Sequence, residues 1–326
     1  MPKKVNPRRG SLQFWPRKRA AKETARVRSW PTVNEAKILG FAGYKVGMTH
    51  IIYTDNTKNS MTKGQDISSP VTIIECPPLK VFSVRFYKNT IDGVSLVTEV
   101  ISEKNDKELS RKITVPKKVK QKIDDVKEFD FIHLVLYTQP KLTSIGKKKP
   151  ELFEVALGGK KEDQLNLAKE KLGKELLLTD VIQEGQLVDV HAVTTGKGYQ
   201  GPVKRFGVKI RFRKSEKTVR GPGSLGGWKG HGHFMWRNPN AGKMGYHLRV
   251  DYNKWVMKIG DKPEDVNPKG GFINYGLVKN NYILVKGSIP GPKKRLMTLS
   301  YPMRPKRGAQ FEAPVIQYVS LESKQG

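Results

Sequence analysis

The chain has 326 residues, with 61 Lys and Arg against 30 Asp and Glu, a formal charge of +31. A monomer of that charge repels itself and binds polyanions, so nucleic acid is the expected partner. No apolar run nears the ~20 residues of a membrane span and no basic amphipathic helix is evident, so no membrane is expected.

A hydrophobic content of 37% suffices for at least one real core. The single cysteine, Cys76, excludes an internal disulfide and a Cys-based zinc site, and reads as a small buried apolar residue. The basic N-terminus has no hydrophobic core after it and is not a secretory signal.

Residues 1–31 carry ten Lys and Arg against one acid, Glu23, and are interrupted by Pro2, Pro7, Pro16 and Pro31. Phe14-Trp15 and Trp30 sit beside RKR and RVR runs. Solubilising tails rarely expose tryptophan, so 1–37 is read as a basic extension that orders on RNA. Its candidate contacts are Arg8, Arg9, Arg17, Lys18, Arg19, Arg26 and Arg28.

From Ile38 the composition turns ordinary, with four basic and four acidic residues between Thr32 and Leu79. ILGFAGYKVGMTHIIYT reads as two β-rich segments with a break near Gly47; PVTIIEC and VFSVRFY continue the strand pattern. Residues 80–190 hold 18 of the acids with 21 basic residues. GVSLVTEVI, FIHLVLYT and ELFEVAL read as strands, and Glu162 to Leu172 as an amphipathic helix with Leu165, Ala168 and Leu172 on one face. We read 81–180 as an inserted α+β lobe.

QLVDVHAVTT is a strand that leads into residues 196–249, which hold thirteen Lys and Arg, one acid (Glu216), twelve glycines, Trp228 and Trp236. Such a segment has too few apolar residues to offset the chain entropy of folding alone. Phosphates anchor cations of this kind, glycine admits close backbone approach, and indole or guanidinium planes stack on unpaired bases. The candidate contacts here are Lys197, Lys204, Arg205, Arg211, Arg213, Lys214, Lys217 and Arg220, then Trp228, Lys229, His231, Trp236, Arg237, Lys243 and Arg249. After it, KWVMKIG, GGFINYG, NYILVKG and RLMTLS read as short strands, and Lys293, Lys294 and Arg295 lie in a further basic edge. Strands on both sides of the basic stretch give a mainly β fold with an α+β insertion. Residues 38–80, 181–195 and 250–310 would form a small closed β-barrel, 196–249 one long internal loop, and 311–326 a C-terminal tail.

Gly196, Gly198 and Gly201 match a dinucleotide fingerprint, with Glu216 near the acid position. Pro202 and a β-branched run follow where a helix should open, so the nucleotide reading is set aside. His231, His233 and His247 suggest a metal, but their glycine-rich surroundings favour phosphate or base contact or exposure. No catalytic group, cofactor or metal is expected. The alternatives are an RNA-modifying enzyme with a basic substrate-binding loop, or a chromatin-type DNA binder; a tryptophan-bearing flexible loop suits irregular RNA better than a uniform duplex.

The runs GKGYQGPVKRFG, GGWKGHGHFMW, AGKMGYHLR, GGFINYG and NYILVKGSIPGPKKRLMTL closely resemble the third universal protein family of the large ribosomal subunit. The N-terminal GSLQFWPRKRAAKETARVRSWP and FAGYKVGMTH resemble its archaeal and eukaryotic-type members. The resemblance implies a translation-protein-like barrel whose loop and N-terminal extension penetrate large-subunit rRNA, and a part in early subunit assembly. It implies partners among rRNA and neighbouring large-subunit proteins, a cytoplasmic location, no homo-oligomer and no enzymatic activity. It also places the loop tip towards the peptidyl transferase centre, where the matching tryptophan, Trp228, influences aminoacyl-tRNA accommodation. Many members carry a histidine in the basic run before the tip; RKSEKTVRG has none.

Overall fold

Runs of β-branched and aromatic residues, bounded by Gly, Pro and Asn, dominate the chain outside its basic stretches, and they fold as strands. A computed structural model describes residues 8–323 apart from 59, 104, 117–120, 127, 216, 231 and 306–311. In chain order come β1 (Gly40–Thr54), β2 (Asp66–Glu75), β3 (Leu79–Thr90), β4 (Gly93–Ile101), β5 (Phe131–Tyr137) and β6 (Leu152–Ala156). Helix α1 (Lys161–Lys171), β7 (Glu175–Leu176), β8 (Leu187–Val193), β9 (Tyr199–Gln200) and helix α2 (Pro202–Phe206) follow. The last are β10 (Gly242–Lys243), β11 (Leu248–Gly260), β12 (Tyr282–Lys286), β13 (Leu296–Ser300) and β14 (Val315–Val319).

The largest sheet has the order β13-β8-β11-β12-β2-β1-β14, and β13 also pairs with β1. Six of its strands therefore pair in a cycle, and β14 joins β1 beyond it. A second sheet has the order β4-β3-β5-β6, with β7 on β3. The chain divides into two units: Lys22–Ala192 with Arg249–Gly326, and Met1–Ala21 with Val193–Leu248. Both larger sheets lie in the first unit, and its larger hydrophobic core runs from Phe41, Tyr44 and Ile283 in the cycle to Phe86 and Leu134 in the second sheet, with a smaller cluster of Phe82, Leu109, Val135 and Tyr137 beside it.

The long first strand organises the cycle. Its residues Gly40–Tyr44 pair with β13, Tyr44–Thr54 with β2 and Ile51–Thr54 with β14. Residues 40–47 are all buried, which explains their mostly apolar and small character, broken by Lys45. Gly43 has a steric cause: a Cβ there would lie 2.6 Å from Cys76 Sγ and 2.7 Å from the Glu75 carbonyl oxygen.

Several buried polar groups in this unit hold loops and neighbouring strands in place. The Glu75 carboxylate accepts the backbone N–H groups of Lys279 and Asn280 at 2.8 and 3.0 Å and the Tyr275 hydroxyl. Asp189 accepts from the N–H of Asn253 at 2.7 Å and of Met303 at 2.9 Å, and burial raises its pKa. Lys45 Nζ donates to the carbonyls of Ile289 and Gly291 at 2.7 and 3.0 Å. A buried charge without such partners would cost several kcal/mol.

Four expectations change. ILGFAGYKVGMTHIIYT is one strand with a register shift between Lys45 and Gly47, not two segments. GGFINYG is a turn closed by a Phe272–Gly276 bridge, because Gly271, Asn274 and Gly276 take positive φ. The C-terminal tail carries β14, which the sequence reading had passed over. Helix α1 forms where expected, but Gln164 joins Ala168 as a buried residue, donating to the Gly159 carbonyl and accepting the Ile132 N–H.

One buried histidine makes the fold pH-sensitive. His191 on β8 shares a 3.0 Å hydrogen bond with Ser300 on β13, and burial lowers its pKa from 6.5 to about 4. The unfolded chain binds that proton first, so this contribution is full above pH 6.5 and is lost progressively towards pH 4. Two to three pH units correspond to about 3 kcal/mol. Urea unfolding at stepped pH should show His191→Gln losing less stability than the natural chain across that window; parallel slopes would exclude the assignment.

Candidate nucleic-acid interface

The second unit is built from the two ends of a charge imbalance. Residues 1–21 and 193–248 together hold nineteen Lys and Arg and a single acid, Glu216, which lies outside the described residues. Ion pairing within the unit cannot neutralise that surplus.

The unit rises on a two-stranded stem. Thr194 N–H donates to the His247 carbonyl at 2.9 Å, Lys197 N–H to Met244 at 2.8 Å and Met244 N–H to Gly198 at 2.9 Å. β9 and β10 continue the stem, pairing Gln200 with Gly242 and Tyr199 with Lys243. Helix α2 caps it, with Pro202 at its start and Gly207 closing it in the left-handed conformation. A helix therefore does open at the third glycine of GKGYQG, against expectation, because proline fits the first helical position. It lasts five residues beside an antiparallel two-residue ladder, unlike the parallel βαβ unit of a dinucleotide site.

Phe206, the last residue of α2, is buried and collects the N-terminal segment around it. Trp15 stacks on it at 5.5 Å and 19°, and Trp236 meets the Trp15 ring edgewise at 5.4 Å. The Arg17 guanidinium lies 4.2 Å above the Phe206 ring and donates to the Arg205 carbonyl at 2.6 Å. Arg205 donates to the carbonyls of Lys243 and Asn240 at 3.1 and 2.9 Å, and burial lowers its pKa. Arg19 lies over Tyr246, and Arg8 donates to the Arg237 carbonyl at 2.8 Å. So Arg17 and Arg205, expected as RNA contacts, act first as struts inside the unit. His247 is buried, and its Nδ1 shares a 2.7 Å hydrogen bond with the Lys18 carbonyl. It is a structural residue rather than the phosphate contact or exposed side chain expected of it.

Beyond the stem the cations face outward. Lys18, Lys197, Lys204, Arg211, Arg213, Lys214, Lys217, Arg220, Lys229, Arg237 and Lys243 are exposed, as are Arg8, Arg9 and Arg19. Arg211 N–H donates to the Val219 carbonyl, so 211–219 fold back as a turn, and Lys209 lies 5.7 Å from the Phe212 ring. The tip is a hairpin: Trp228 bridges His233, whose N–H donates to the Trp228 carbonyl at 3.2 Å. Lys229 and Gly230 turn it with φ of 47° and 62°. Trp228 is 41% exposed there and Trp236 is 69% exposed. His231 lies outside the described residues.

The remaining candidates belong to the larger unit. Arg26, Arg28 and Lys294 are exposed, and Arg249 is half-buried with its pKa lowered by burial. Lys293 donates to the Ile273 carbonyl at 2.8 Å, and Arg295 lies 3.5 Å from Glu23. Aromatic–cation pairs that the sequence reading missed gather on β1, β11 and β12, with Arg304 in the segment after β13. Lys286 lies about 5 Å from both the Tyr53 and Trp255 rings, and Arg304 lies 5.5 Å from Tyr252. Cross-strand pairing assembles the Lys286 pairs and the segment after β13 supplies Arg304, and no linear motif reports either.

Among the described residues no three His, Cys, Asp or Glu side chains converge as a metal site, and no helix is long and apolar enough to cross a membrane. Phe206 gives a direct test of the arm–stem contact. Phe206→Ala removes the surface that Trp15 and Arg17 cover, about 1–2 kcal/mol for a small aromatic cluster. Trypsin should then cut at Arg17, Lys18 and Arg19 about tenfold faster, because cleavage follows the open population. An unchanged rate would mean that the segment does not depend on this ring.

The family model for ribosomal protein L3 matches residues 1–326. The chain is 51% identical to large ribosomal subunit protein uL3 of Methanosphaera stadtmanae, with 98% of each chain covered. It is 48% identical to that of Methanobrevibacter smithii and 46% identical to that of Archaeoglobus fulgidus, again with 98% of each covered. The motifs that suggested a large-subunit family, the cyclic β core and the cationic stem-and-tip unit thus agree with matches that span the whole chain, and the chain belongs to the ribosomal protein L3 family.

Proposed function

We propose that this chain is a non-enzymatic structural constituent of the cytoplasmic large ribosomal subunit, anchored on large-subunit rRNA by its N-terminal segment and its long internal loop acting together. The observation that carries this reading is the second unit itself: nineteen cations against one acid, most of the described ones exposed. Only a dense polyanion matches that surface. The relatives named above are themselves large-subunit proteins.

In this reading the cyclic sheet, drawn from 38–80, 181–195 and 250–310, is a translation-protein-like closed β-barrel, and 81–180 is a lobe inserted in it. The extension 1–37 and loop 196–249 supply phosphate contacts from Arg8, Arg9, Lys18, Arg19, Lys197, Lys204, Arg211, Arg213, Lys214, Lys217, Arg220, Lys229, Arg237 and Lys243. Arg26, Arg28, Arg249, Lys293, Lys294 and Arg295 extend them on the larger unit, and neighbouring large-subunit proteins complete the surroundings. Early docking of such an arm favours a part in subunit assembly. In the same reading Trp228, exposed at a hairpin tip, stacks on an unpaired base near the peptidyl transferase centre. The enzyme alternative has no acid–base cluster or cofactor motif in its favour.

Two measurements test it. Log K for rRNA should fall with log salt by about 0.7–0.9 per phosphate neutralised, and replacing Arg211, Arg213, Lys214 and Lys217 with Ala should flatten that slope. An unchanged slope would place those side chains in solvent. Trp228→Ala should leave the melting temperature of the free protein and the yield of subunits nearly unchanged. It should remove about 1–3 kcal/mol of local stacking, read as altered tRNA accommodation or altered reactivity of nearby bases. Lost subunit yield with normal translation by the remaining particles would instead make the indole an assembly residue.

A further inference from the structure

The larger unit carries a groove of about 510 Å³ beside β14, with Met257, Ile316, Val319 and Leu321 on its apolar walls and Glu184 and Asp265 at its polar side. Two features set it apart from the rest of the surface. One is charge. Glu184 and Asp265 line the groove with Lys258, and Asp261 and Glu264 precede Asp265 in the turn after β11. Two acids against one lysine in the lining is an inversion in a chain of +31. Lys258 does not cancel both: it lies 3.6 Å from Asp265, while Glu184 accepts the Ile259 N–H at 2.7 Å. Such a lip repels phosphate and attracts ammonium and guanidinium groups.

The other feature is backbone. β14 ends its sheet, paired to β1 on one side with no described strand on the other. Four consecutive residues of it, Ile316 to Val319, line the groove, as they do when a strand presents its edge rather than one face. An open edge supplies N–H and C=O groups to an added strand, and side chains alternate between its two faces. Val315, Tyr318 and Leu321 are 54%, 46% and 42% exposed, so the apolar surface is also unfinished.

We propose that this groove docks an extended segment of a neighbouring protein in which lysine or arginine alternates with apolar residues. The backbone of that segment pairs with β14, its apolar side chains meet Met257 and Ile316, and its cations face Glu184 and Asp265. The proposal does not depend on where the basic unit binds RNA, and its test contains no rRNA-dependent readout.

The probe is a short, acetylated, fluorescently labelled peptide alternating Lys and Val, titrated onto the intact chain and followed by anisotropy and amide exchange. It should bind, and protect the amides of Val315 to Val319. The double substitution Glu184→Gln and Asp265→Asn keeps an acceptor for Ile259 and should weaken binding about tenfold, the sum of two partly exposed ion pairs. Leu321→Lys, a change at the groove wall only, should weaken it as well. A Glu–Val counterpart should not bind. The proposal is overturned if the Lys–Val peptide fails to bind the natural chain or protects other strands. Equal binding to the double variant or Leu321→Lys, or equal binding of the Glu–Val peptide, overturns it too. So does sedimentation showing that a second copy of the chain covers β14, or single-stranded RNA protecting the same amides.

Discussion

A surplus of cations with no acids to meet them governs how the basic unit is made. Its nineteen Lys and Arg exclude an ordinary apolar core, since each must keep its charge hydrated or paired. The unit is held instead by groups that accept from arginine without being charged. Arg17 and Arg205 bracket the Phe206 ring and donate to backbone carbonyls, and Arg19 covers Tyr246. Guanidinium suits this use because it is planar, weakly hydrated and a donor in several directions. Lysine is poorer at it, and Lys18, Lys197, Lys204, Lys214 and Lys243 are exposed. Arginine thus both builds the unit and faces outward from it, while lysine mostly faces outward.

The larger unit solves the opposite problem. It buries Glu75, Asp189 and Lys45, and gives each at least two hydrogen-bond partners, in the loops around the cyclic sheet and, for Asp189, also in β11. Those loops have few apolar residues to hold them, so directed bonds to a buried charge take the place of packing. Removing Glu75 would leave Lys279 and Asn280 N–H groups without their acceptor, and the turn that precedes β12 would lose its anchor.

Most of the strands were legible because their period and their bounding Gly, Pro and Asn residues are local signals. GVSLVTEVI corresponds to β4 residue for residue, FIHLVLYT runs one residue past β5, and NYILVKG overshoots β12 by one residue at each end. The misses have physical causes. GGFINYG has the composition of a strand, but its positive-φ residues make a turn whose aromatic ring packs against Gly47, as the 3.1 Å approach of a Cβ there to Phe272 shows. β14 is short, half-exposed and paired to β1 across more than 250 residues, so its stability is tertiary. In the basic unit the charge and the tip tryptophan were legible, since composition alone carries them. The Phe206 cluster was not, because Trp15 and Phe206 lie far apart in sequence. One signal for it was present: a lone phenylalanine in KRFG between two glycine turns has to find a partner.

The length of the loop fits the same logic. β8 and β11 are neighbours in the cycle, so the strand that feeds the loop and the strand that receives it already lie side by side. Closing a longer loop between fixed, adjacent ends costs only a logarithmic increment of entropy, so residues can be added at the tip with little effect on the sheet. The stem from Thr194 to Gln200 and from Gly242 to His247 carries strand-like order into the loop. Towards the tip, side-chain packing ceases to determine shape: Gly223, Gly226 and Gly230 have positive φ and open space around them. Their conformations leave backbone geometry to set the tip, with Asn238 tying the Leu225 carbonyl at 2.7 Å across its base. An indole held on such a hairpin is directed by the turn rather than by a core, which is the arrangement a side chain needs to meet a partner that the protein itself does not supply.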